Sequence, residues 1–210
     1  MRIHDPDVVY TDLGLALLGS FLAWRLWRHG RRGEYLTRAG VILLAALAGA
    51  AFFGAVFHAF FPSNTTTVAG LLAWAPVSLS IVIVAATLLA LGLRSLFPGS
   101  GIGVRRILVA CYAAAFAVTA LVIDESYDTI VRFYAPTLVL FLVAAVREAL
   151  RTKEAGWWLL AVSFVLSIGA AVLQQAGIAL HPEYFDHNAL YHVVQGLAVV
   201  VLYSGFRRIG

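Results

Sequence analysis

His58 and His192 each stand inside a long apolar run. An ionisable side chain is costly there unless it faces other helices and finds a partner. Imidazole is the commonest metal ligand and suits zinc, copper, nickel or iron. Two histidines fall short of a zinc site, which takes three or four protein ligands and, when catalytic, leaves a position for water. His187, Asp12 and Asp124 are the candidates for completing the set. A haem held axially by His58 and His192 is a second arrangement, for which Phe57, Phe60 and Tyr191 leave little room. The plainest alternative is that each imidazole hydrogen-bonds a neighbouring helix or reaches lipid headgroups.

The elements that must position these side chains are membrane spans. The 210 residues are 61% hydrophobic and 12% charged, with mean hydropathy +0.88. A soluble domain of this size cannot bury so much apolar surface, whereas lipid covers it at no cost. Stretches near the roughly 20 residues that cross a bilayer as helix occur at about 9–27, 36–61, 67–96, 104–123, 129–150, 156–180 and 187–206. The chain thus reads as one all-α domain over 1–210, a seven-transmembrane-helix bundle whose short connections make consecutive helices antiparallel neighbours. Cys111 is the only cysteine, so no disulfide forms within the chain. The first apolar run lacks a basic leader and ends in arginines, unlike a cleaved signal peptide.

Charge gives the direction. Thirteen of the 15 Lys and Arg residues fall in the first, third and fifth connections and the C-terminal tail, with Arg2 and Arg132 the exceptions. Positive loops stay in the cytoplasm, which puts the N-terminus outside and the C-terminus inside. The expected location is a bacterial inner membrane with the histidines toward the periplasmic or extracellular side. The pI near 9.5 is then a topology signal; membrane lipids are the expected partners and nucleic acid is not.

On this topology His58 and His192 share one depth, about a turn from the outer face. Asp12, Asp124, Glu125, Asp128, Arg132, His181, Glu183, Asp186, His187 and Asn188 gather at the same end. Asn188, His192 and Gln195 follow i, i+4, i+7 and share a helix face. Gly54 lies on the face of His58 and leaves room beside it. Asp128 and Arg132, at i and i+4, are expected to pair as ions. Asp12, next to Thr11, suits a charge that the helix dipole favours. Gln174 and Gln175 are placed to bridge helices, and Pro76 and Pro136 to kink theirs.

Histidines late in span two and early in span seven, as Gly54-Ala-Val-Phe-His58 and Asn188-Ala-Leu-Tyr-His192, resemble the alkaline ceramidase, adiponectin receptor and Per1-like superfamily of seven-span membrane hydrolases. The resemblance implies that His58 and His192 ligate zinc and that a bound water attacks a lipid amide or ester. The chain departs from the family pattern in three places. Asn188 replaces a histidine, Gly54 replaces a hydroxyl residue, and span three carries no carboxylate. Those departures favour the alternative of a non-catalytic receptor or carrier for a lipid or other small molecule. Lys153 is the only lysine and sits in a connection, so no buried amine exists for a retinal Schiff base. Gly99-Ser-Gly101-Ile-Gly103 lacks the strand-to-helix context of a nucleotide loop.

Overall fold

The computed structural model describes residues 3–30, 34–61, 67–181 and 184–209. Arg2, Arg31, Arg32 and Glu183 therefore lie outside the described residues. Pro6 opens the first helix, α1 (Pro6–His29), where its missing N–H costs nothing. α2 (Tyr35–Phe60) follows, then α3 (Val68–Leu96), whose start is capped by the Thr67 hydroxyl accepting from Gly70 N–H. α4 (Ile102–Val118) ends in a π-helical stretch, Thr119–Ile123. α5 (Tyr127–Thr152), capped by Ser126, leads into α6 (Ala155–Gln175) and α7 (His187–Ile209).

All seven helices among the described residues are long and apolar enough to cross a membrane. Six of the expected spans match within a few residues. The sixth stops at Gln175 rather than 180, because Gly177 takes a left-handed φ of +65° and turns the chain out. Beyond it, His181 and Phe185 exchange two backbone hydrogen bonds, at 3.0 and 3.1 Å, that close the connection into α7.

Small residues set which helices meet. Ala51, Ala55 and Ala59 are all buried, and α1 packs closely on α2: a Cβ on Gly19 would lie 3.0 Å from that of Ala48. Gly156 and Gly205 bring α6 against α7 in the same way. Close approach of this kind is what holds helices together when lipid is as apolar as the side chains. α4 is peripheral, with Phe116 its one buried side chain. Trp24, Trp27 and Trp158 are exposed near one end of the bundle, as an interfacial belt requires, whereas Trp157 is buried.

The two ends of the bundle differ in chemistry. At one, the mouth, His4 N–H donates to the Ala59 carbonyl, the Trp74 indole to the Glu125 carbonyl, and Asp186 N–H to the Asp7 carboxylate. At the other, the arginine end, the Arg147 guanidinium donates to the Ser95 carbonyl and Arg94 stacks on Tyr35.

Candidate functional site

The mouth opens into a cavity of about 540 Å3 walled by α1, α2, α3 and α7 and by the ends of α5 and α6. His58 and His192 both line it, as do Asn188, Gln195 and His187. The i, i+4, i+7 face of α7 therefore points into one space. Asp124, Asp128 and Arg132 do not line the cavity.

Asp12 supplies the floor. Its side chain is only 4% exposed, and its Oδ1 lies 3.2 Å from His192 Nε2, itself on a side chain 10% exposed. α1 starts at Pro6, so Asp12 sits two turns in, too deep to act as the helix-dipole charge that its place in the sequence suggested. Gly54 makes this burial possible: a Cβ there would lie 2.9 Å from Asp12 Oδ2. The carboxylate thus fills the space beside His58 that the missing side chain leaves.

The hydrogen-bond network engages both nitrogens of the His192 ring. The Thr11 hydroxyl has one proton, directed at the backbone carbonyls of Asp7 and Val8 at 2.9 and 3.0 Å. With the proton there, Thr11 offers a lone pair to His192 Nδ1, 3.2 Å away, and Nδ1 carries hydrogen; with the proton turned to Nδ1, Thr11 donates to it. At Nε2, two lone pairs facing each other across 3.2 Å would repel, so one proton lies between Nε2 and Asp12 Oδ1. The pair is a neutral imidazole with a carboxylic acid, an imidazolium with a carboxylate, or, where Thr11 donates to Nδ1, an Nε2–H imidazole with a carboxylate. Each form satisfies two buried groups that are costly alone. Thr11, His192 and Asp12 form a hydroxyl–imidazole–carboxylate string, but Thr11 does not line the cavity, so its oxygen is no nucleophile for a ligand there. It orients the ring.

The remaining polar groups form a rim. His58 is about 29% exposed, and its Nδ1 lies 3.7 Å from the Asp5 carboxylate. Gln174 bridges helices as expected: its amide donates to Asn188 Oδ1 at 2.8 Å and accepts from the Tyr127 hydroxyl at 3.0 Å. Asp186 accepts from Asn188 Nδ2 and from Ala189 N–H, capping α7. His187 is half-buried, its Nδ1 3.9 Å from the Asp186 carboxylate, whereas His181 is exposed and packed on Tyr184.

At the start of α5, Asp124 accepts from the Thr129 hydroxyl and from Ser126 N–H. These bonds, with the Arg132 charge as a lesser cause, hold its carboxyl below the usual range. Asp128 and Arg132 make no contact under 4 Å, contrary to the expected ion pair; both are exposed, where such a pair gains little. Pro136 lies inside α5, and one turn earlier the Tyr112 hydroxyl of α4 donates to the Phe133 carbonyl. Thr11, Tyr127 and Trp74 were not legible as site residues. The only sequence sign of Thr11 is its place beside Asp12.

The ligand set that the ceramidase resemblance implies is not assembled. Among the described residues, no three His, Cys, Asp or Glu side chains come together as a metal-binding group. Both ring nitrogens of His192 are engaged, one by Thr11 and one by Asp12. As they stand, His192 Nε2 and Asp12 Oδ1 are joined to each other, and no third donor completes a metal-binding group with them among the described residues. What the arrangement offers a ligand is a shared proton at the floor and amide and imidazole groups at the rim.

Compared with known proteins, no curated protein matches the chain. The model of a family of unknown function, DUF6962, matches residues 8–210, nearly the whole sequence. The chain therefore belongs to the DUF6962 family.

Proposed function

We propose that this protein lies in a bacterial inner membrane with its arginine end in the cytoplasm. In this reading it binds one amphipathic lipid through the mouth, as a receptor or carrier. The bias of basic connections supports the sidedness. The observation that carries the binding reading is the meeting of a cavity with a polar floor and a more apolar one. The polar-floored cavity adjoins, across Tyr191 and Gln195, an apolar one of about 570 Å3 between α5 and α6. Val139 and Val172 on its wall are more than half exposed, so this second space opens toward the surface that lipid would cover. A polar head against Asp12, His192 and Asn188, with its chain along α5 and α6, satisfies both surfaces.

Zinc-dependent hydrolysis, implied by the ceramidase resemblance, is the competing reading. Purified protein mixed with a long-chain ceramide in detergent micelles separates the two. Ceramide bound and recovered intact supports the binding reading. Release of fatty acid that is lost in both His58→Ala and His192→Ala overturns it in favour of the hydrolase.

A further inference from the structure

The arginine end carries a site of its own. Between α3 and α4 lies a cavity of about 340 Å3 lined by the apolar side chains of Ala90, Val109 and Ala113. Arg94, Arg105 and Arg106 line it as well. None of these three has a carboxylate within 4 Å among the described residues. Arg94 instead lies over the Tyr35 ring at 4.6 Å, which orients its guanidinium. Nearby basic residues behave differently: Arg151 donates twice to the buried Glu148, at 2.6 and 2.8 Å, and Arg147 donates to the Ser95 carbonyl. The sequence thus supplies a carboxylate for Arg151 and leaves the three around this cavity uncompensated.

Three guanidinium groups that have no carboxylate partner among the described residues, lining one cavity with apolar side chains, match one ligand chemistry, a phosphate attached to a hydrocarbon chain. Guanidinium binds phosphate oxygens in a two-pronged fashion, and basic pockets between helices at this membrane boundary take anionic headgroups. α4 buries little of itself, so the slot between it and α3 lies open from the side. We propose that the α3–α4 cleft binds an anionic glycerophospholipid of the leaflet at the arginine end, with its phosphate among Arg94, Arg105 and Arg106. This site lies at the opposite end of the bundle from the Asp12–His192 cavity and stands independently of it.

The test is native mass spectrometry of the full chain in non-ionic detergent, titrated with phosphatidylglycerol or phosphatidylcholine of equal chain length. Phosphatidylglycerol is expected to bind at one per chain, about tenfold more tightly than phosphatidylcholine, with that preference lost in R94Q/R106Q. Arg105→Gln alone, in which Arg94 keeps its stacking on Tyr35, is expected to weaken it several-fold. Equal binding of the two lipids, or a preference unchanged in both variants, overturns the proposal. Displacement of phosphatidylglycerol by inorganic phosphate also overturns it, since the site would then serve a soluble anion.

Discussion

The Asp12 carboxylate occupies the space that Gly54 leaves open, with Oδ2 only 2.9 Å from where a Cβ on Gly54 would stand. Two helices thus depend on each other through a residue with no side chain and a residue that is costly to bury. Gly54→Ala forces the carboxylate to turn, and with it the contact to His192 at 3.2 Å. Replacing glycine in a helix interior gains roughly 0.5–1 kcal/mol, and crowding costs roughly 1–3 kcal/mol. Crowding outweighs the gain by up to about 2.5 kcal/mol, so the melting temperature is expected to fall by a few degrees while lipid occupancy falls several-fold. A G54A/D12A double-mutant cycle on occupancy checks this, with strong non-additivity expected.

Breaking the buried pair on one side is expected to be worse than removing it whole. His192→Ala leaves Asp12 without its partner, at a cost of about 3 kcal/mol or more if the carboxylate stays charged. Asp12→Ala strands Nε2 at about 1–3 kcal/mol. The double variant is predicted to lose clearly less than the sum, measured by thermal or chemical unfolding in one detergent.

Thr11→Val removes the hydroxyl partner of His192 Nδ1 while keeping the side chain's shape. The expected outcome is a loss of about 1–2 kcal/mol in stability. It should also release the ring, seen as a changed tautomer in nitrogen NMR of labelled histidine. An unchanged tautomer would mean that Asp12 alone sets it.

Asp124 gives the pH dependence its sign. Its folded-state carboxyl is held below the ordinary range, chiefly by the Thr129 hydroxyl. It therefore contributes stability above the unfolded carboxylate range, and that stability is lost as pH falls through the folded value. Unfolding followed from neutral pH downward should show this acid-side loss, and Asp124→Asn should remove it without altering lipid occupancy.

The fold was largely legible because hydropathy and length alone report a membrane helix, and the breaks carried Gly, Pro and charge. Span six was the exception: its apolar pattern continued past the Gly177 turn, which depends on a backbone angle. The site was legible only as a location. Spacing placed Asn188, His192 and Gln195 on one face, but no pattern within one helix reveals what faces it. Asp12 read as an end charge because the first turn of α1 lies before the apolar run begins. Its fit against Gly54 joins two helices, and such contacts follow from packing rather than from periodicity.

The most direct test of the binding reading is native mass spectrometry of protein extracted from its own membrane, comparing three chains. Wild type is predicted to retain, besides the lipid at the arginine end, one that survives R94Q/R106Q, because that pair lies at the opposite end from the Asp12–His192 cavity. Gly54→Leu, which drives a large side chain onto Asp12 and into the cavity, is predicted to lose that lipid while remaining helical. A wild type that carries no such lipid, or one indifferent to Gly54→Leu, would contradict the account.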